Sequence, residues 1–133
     1  MVLATHDYPR VGADIGSVPV LKRLVAAGCN LILFTMRSEK GVRESKFPSG
    51  LTDAVNWFKE NDIPLYGIQI NPSQRHWTES PKAYGQLYLD DAALGAPIKF
   101  DDKISDRPFY DWDKAEKMLE DMGALPKTTE DGE

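Results

Sequence analysis

Two short stretches carry residue types that could do chemistry together: residues 30–38 read NLILFTMRS, and residues 86–91 read QLYLDD. Each is an apolar run that stops abruptly in polar groups, as a strand buried on both faces of a parallel sheet does at its carboxyl end. Open α/β sheets bind ligands at that edge. Thr35 offers a hydroxyl to a phosphate there, with Met36 and Arg37 beside it at the same tip. Asp90 and Asp91 offer carboxylates to a hard cation such as Mg2+. The chemistry expected is phosphoryl transfer or phosphate hydrolysis.

Each of these residues has a plainer reading. A threonine at a strand end is often only a good β-former, and an arginine such as Arg37 is often a solvated surface side chain. Adjacent carboxylates after an apolar run repel each other and lose solvation unless a cation lies near. That favours a metal at Asp90 and Asp91 over a solvated turn.

The elements that would position these tips follow from periodicity. Residues 1–4 are a short apolar remnant, read as the tail of a strand, and residues 5–12, with His6, Asp7, Tyr8, Pro9 and Arg10, form a polar loop. From Asp14 or Ser17 the pattern predicts a helix with Val18, Leu21, Leu24 and Val25 on one face, Ser17 as N-cap, Pro19 in the first turn and Gly28 as the stop. A strand over 31–36 follows, then a charged loop over 37–50. Leu51, Ala54, Val55 and Phe58 mark the face of a second helix closed by Asn61 and Asp62. The next strand is placed at 65–68, a two-proline loop at 71–82, and the second organising strand at 84–89. A short strand over 98–100 ends in Asp101 and Asp102. A last helix opens at Asp111 or Trp112, with Trp112, Ala115, Met118 and Leu119 apolar, and ends at Gly123. Such alternation implies α/β architecture with a parallel, doubly wound sheet. Residues 1–125 read as one domain, with a disordered acidic tail over 126–133.

Composition narrows the function classes. With 41% apolar and 28% charged residues the chain has an ordinary globular composition. Sixteen basic residues against twenty-one acidic ones, a net charge of −5, form no stripe that would bind a nucleic-acid backbone. The one cysteine, Cys29, excludes an internal disulfide; it reads as a buried structural thiol in a reducing cytoplasm. No apolar stretch approaches the roughly 20 residues of a membrane helix, and no signal peptide is expected.

The order of these pieces resembles the haloacid dehalogenase-like (HAD-like) superfamily of phosphohydrolases. LILFTMRS looks like its second motif, Lys82 in SPKAYGQ has the position of the third motif's lysine, and LYLDD looks like the fourth. Together with HDYPRVGADIG and LTDAVNWF, these stretches are similar to small capless bacterial and phage members, over most of residues 5–115. The resemblance implies a three-layer α/β/α sandwich with a mostly parallel Rossmann-like sheet, its first strand truncated or missing. It also implies a magnesium-dependent phosphatase of a phosphorylated small molecule or nucleotide. Thr35, Met36 and Arg37 would bind phosphate, Lys82 would neutralise charge on the transferring group, and Asp90 and Asp91 would hold Mg2+.

The family's first motif, Asp-x-Asp-Gly-Thr, is absent from the sequence, and with it the attacking carboxylate. Asp111-Trp112-Asp113 has the spacing but reads as a helix cap, and Asp101 and Asp102 read as exposed or supporting acids. The chain is therefore expected to be inactive or impaired as written, either because Met1 is an internal methionine of a longer product that carries the motif upstream, or because the protein is a degenerate relative. Its runner-up reading is a non-catalytic relative that binds phosphate and metal, or a protein partner. A receiver-like or flavodoxin-like module explains less, since it leaves Lys82, Asp90 and Asp91 without a role. An unpaired strand edge makes a homodimer the expected assembly.

Overall fold

The computed structural model describes residues 14–37 and 50–127. Expectations for residues 1–13, for the loop at 38–49 and for the tail from 128 lie outside the described residues. In chain order the elements are α1 (Ser17–Ala26), β1 (Ile32–Leu33), α2 (Gly50–Glu60), β2 (Gly67–Ile68), a 3-10 turn (Gln74–His76), β3 (Ile98–Lys99), β4 (Phe109–Tyr110) and α3 (Trp112–Asp121). The protein is thus a small α/β chain, and no helix among the described residues is long and apolar enough to cross a membrane. The described residues fall into two compact units, one built from 14–29 and 89–127, the other from 30–37 and 50–88.

The first unit is organised by α1 and α3. Val20, Leu21 and Leu24 of α1 and Trp112, Ala115 and Leu119 of α3 are buried, the spacing of an amphipathic helix with one face in the core. Arg23 on α1 bonds Glu116 at 2.6 Å and Glu120 at 2.8 Å on α3, and its second guanidinium nitrogen donates to the Pro126 carbonyl. These carboxylates raise the arginine's pKa further above its ordinary value. The N-terminus of α1 differs from expectation. Gly16, with φ 111°, holds the cap position, and Ser17 is the first helical residue. The Asp14 carboxylate accepts from the Ser17 amide and hydroxyl. A Cβ on Gly16 would meet Trp112 Cβ at 3.4 Å, so the cap position stays small and left-handed and the capping role moves back to Asp14.

At the other end of that unit, β3 and β4 pair antiparallel, with Ile98 opposite Tyr110 and Lys99 opposite Phe109. This pair departs from an all-parallel sheet, because the connection over residues 100–108 folds back as a turn built on the Asp101 carbonyl. Asp111 caps α3 through Lys114 N at 3.0 Å, as its place before the apolar periodicity implies.

In the second unit β1 and β2 are parallel, with Ile32 opposite Gly67 and Leu33 opposite Ile68. Flanking bonds from Tyr66 N to Leu31 O and from Gln69 N to Leu33 O, both 2.7 Å, complete the ladder. β1 is shorter than its apolar run and only half-buried, and Phe34 beyond it is exposed. Gly67 is required by close approach: a Cβ there would collide with the Ile70 carbonyl and lie 2.9 Å from Pro72 Cδ.

Residues 84–89, expected as a strand, join no ladder among the described residues. Leu87 and Tyr88 are exposed, and the Tyr88 hydroxyl donates to the nearby Ala83 carbonyl at 2.6 Å. An apolar run becomes a strand only where a neighbour accepts its backbone bonds. Cys29, expected to be buried, is half-buried just past α1.

All three described helices end alike. Gly28, Asp62 and Gly123 take left-handed backbone, and the residue after each returns its amide to the carbonyl five back, as in Cys29 N to Leu24 O, Ile63 N to Phe58 O and Ala124 N to Leu119 O.

Candidate functional site

The carboxyl end of β1 is held by one side chain. Gln69, just past β2, accepts from Thr35 N at 2.9 Å and donates to Thr35 O at 2.7 Å and Arg37 O at 3.2 Å. Its amide thereby imitates the next rung of the ladder beyond the last paired residues. Gln69 itself sits at φ 67°, a left-handed conformation that a side-chain-bearing residue adopts only when its surroundings hold it there. The Thr35 hydroxyl accepts from Arg37 N at 3.1 Å, closing a tight turn that bears Met36, 98% exposed, at its tip. A hydroxyl donates one proton besides accepting, so Thr35 retains a donor for a ligand. The Arg37 guanidinium reaches back to the Gly50 carbonyl at 3.1 Å, at the first residue of α2.

Lys82 belongs to the same unit and sits in a loop ordered by two amides. Gln74 is buried, 7% exposed; it donates to the carbonyls of Ser80 (3.2 Å) and Lys82 (3.0 Å) and accepts from Tyr84 N at 2.7 Å. Asn71 closes the loop by donating to the Tyr84 carbonyl at 3.0 Å, while its oxygen accepts from Ser73. The Lys82 ammonium lies 5.5 Å from the centre of the Tyr88 ring. Polar bonds therefore set the backbone on both sides of Lys82, and its charged end stays exposed.

Asp90 and Asp91 lie in the other unit, exposed at a turn. One Asp90 oxygen accepts from Ala92 N at 2.9 Å. Both charges reach the buried Tyr110: burial, then Asp91, then Asp90 push its phenol above the ordinary tyrosine pKa. Among the described residues no group of three or more His, Cys, Asp or Glu side chains gathers to hold a metal. Mg2+ needs no such cage, since it keeps several waters and takes one or two carboxylates together with phosphate oxygens.

The other acids take structural parts. Asp101 accepts from Lys103 N at 3.0 Å within its own turn, and Asp111 is the α3 cap with Lys99 at 4.0 Å. A groove of about 560 Å³ lies along α2 and β2, lined by Val55, Phe58, Ile63, Leu65 and Ile68 among others. None of Thr35, Arg37 or Lys82 lines it, so its size does not mark the chemistry.

Sequence reasoning missed Gln69, Asn71 and Gln74, the side chains that fix both donor segments. The available signal was an amide-rich run, Gln69 to Gln74, between an apolar segment and a proline loop. Comparison of the chain with protein-family models, with curated proteins and with solved structures finds no match.

Proposed function

We propose that the protein binds a phosphorylated small molecule or nucleotide together with Mg2+, in the manner of a HAD-like phosphohydrolase whose nucleophile motif is missing. The observation that carries this is the β1 tip: a threonine hydroxyl with a free proton, held in a tight turn at the carboxyl end of a parallel strand. Thr35 would donate to phosphate, with the Met36 amide beside it, and Lys82 would supply positive charge. Asp90 and Asp91 would hold Mg2+. The finer architecture that accompanies this reading is a three-layer sandwich around a mostly parallel sheet.

Binding of phosphate and metal is the part of that activity which residues 14–127 would carry themselves. The second reading is a non-catalytic relative that retains phosphate and metal binding. One calorimetric titration tests the common core of both. Inorganic phosphate and Mg2+ should each tighten the other's binding by the same factor, since such coupling is reciprocal. Thr35→Val should remove phosphate binding, and the double change Asp90→Asn, Asp91→Asn should remove the magnesium dependence. Phosphate and magnesium binding that are independent, or unaffected by these changes, would overturn the assignment. Release of phosphate from an aryl phosphate by the chain as written would show that another group serves as nucleophile.

A further inference from the structure

We infer that the loop from Asn71 to Tyr84 is a recognition loop for the flat ring of a phosphate ester, the ligand class being nucleotides. The inference rests on the phosphate-binding reading above and narrows its substrate. Trp77 is 62% exposed and Tyr84 46%, and their rings meet edge to face with centres 5.5 Å apart. Large rings left in water at a loop are ordinarily mobile. Here Gln74 ties the backbone at both: its carbonyl accepts from Trp77 N at 3.0 Å, and its side chain accepts from Tyr84 N at 2.7 Å. Asn71 closes the loop on the Tyr84 carbonyl. A ring braced on a fixed backbone loses little freedom when a second ring stacks on it, so binding is favoured by preorganisation.

Charge points the same way. The loop carries Arg75 and Lys82 against a single acid, Glu79, in a chain whose net charge is −5. A basic segment with exposed aromatics in an otherwise acidic protein complements an anion that also bears a π-face. The lysine expected to meet phosphate and the rings expected to meet a base are thus held by the same buried glutamine, through Lys82 O at 3.0 Å on one side and Tyr84 N on the other.

The experiment compares four probes on the full chain by calorimetry: adenosine 5′-monophosphate, ribose 5-phosphate, inorganic phosphate and adenosine. The nucleotide should bind about tenfold or more tighter than ribose 5-phosphate, the increment that one stacked base supplies. That ratio should fall to near one in Trp77→Ala and persist in Trp77→Phe, which keeps a ring. Lys82→Ala should weaken the nucleotide and ribose 5-phosphate alike and leave their ratio intact. Equal affinity for the two phosphates in the unchanged protein, or a nucleotide advantage that survives Trp77→Ala, overturns the recognition loop while the phosphate reading stands. Adenosine binding that depends on Trp77, with no binding of ribose 5-phosphate or inorganic phosphate, supports the loop and overturns the phosphate reading. Failure of all four probes to saturate at millimolar concentration overturns both.

Discussion

Around Trp112, α1 and α3 exclude water by apolar packing, with Val20, Leu24, Ala115 and Leu119 all buried. Around Gln69, the β1 tip is held by polar bonds while Phe34, Met36, Ile68 and Ile70 remain exposed. The difference lies in what each region asks of its residues. Packing asks for volume and tolerates any apolar shape that fills it. An amide clamp asks for a donor and an acceptor at fixed places, and no change of shape compensates for losing them. The residues proposed to meet phosphate sit on the second kind of support.

Mutation separates the two regimes. The largest effect is expected for Trp112→Ala, which empties the most buried large side chain and should destabilise by about 3–5 kcal/mol in urea unfolding. Trp112→Phe should retain much of that stability. If Trp112→Ala were nearly neutral, apolar packing would not be what holds α1 and α3, and the contrast would fail on that side.

A smaller and more specific effect is expected at Gln69. Gln69→Met keeps length and volume but removes both ends of the clamp, and should destabilise by about 1–2 kcal/mol. Amide exchange at Thr35 should accelerate more than at Leu21 or Leu24. Asp62→Gly supplies the internal control. Asp62 and Gln69 are the two described non-glycine residues with positive φ, at 57° and 67°. At Asp62 only the helix-terminating backbone is needed, so glycine should stabilise by up to about 1 kcal/mol. At Gln69 glycine should destabilise, because the relief of backbone strain is outweighed by loss of the side-chain bonds. Stabilisation by glycine at both positions would show that the clamp contributes nothing.

The same distinction explains what the sequence made legible. Helix faces repeat, so Leu21 and Leu24 in α1 and Trp112, Ala115 and Leu119 in α3 were readable from spacing, whereas Val18 and Val25 are only half-buried, Met118 is exposed and the buried Val20 was missed. Helix stops at Gly28, Asp62 and Gly123, and the Asp111 cap, follow local rules and were readable too. The Ser17 cap was misplaced because Gly16 takes left-handed backbone at the cap position and the Asp14 carboxylate accepts from Ser17 N. QLYLDD had a strand's composition, but composition cannot supply a partner, and no ladder forms there among the described residues. Thr35, Lys82, Asp90 and Asp91 were readable as residue types capable of phosphate chemistry. Gln69 and Gln74 were not, because a loop glutamine becomes a support only through the backbone groups that folding brings to it.

Tyr110 tests whether the packed region is electrically silent. Its ring is 4% exposed and meets Trp112 with centres 4.9 Å apart, inside the apolar part of its unit. Yet its phenol is pushed up by burial first and then by the charges of Asp91 and Asp90. A folded-state pKa above the unfolded value means stability is fully present below the unfolded tyrosine pKa, about 10, and is lost as pH rises through the folded one. Asp14 works in the opposite direction. Burial alone raises its carboxyl, but bonds from the Ser17 hydroxyl and amide, with those from Val18 and Gly16, outweigh burial and hold it low. Its share of stability is present above the unfolded aspartate pKa, about 4, and is lost as pH falls through the depressed value. Alkaline titration followed by tyrosinate absorbance should show one late-ionising phenol that disappears in Tyr110→Phe. Neutralising the pair with Asp90→Asn and Asp91→Asn should move that phenol's midpoint down, because a phenolate forms more easily once its anionic neighbours are gone. Mg2+ bound at the same carboxylates should move it in the same direction, and should have no effect in the double variant. A Tyr110 midpoint indifferent to both changes would mean that the packed interior does not sense the acid pair.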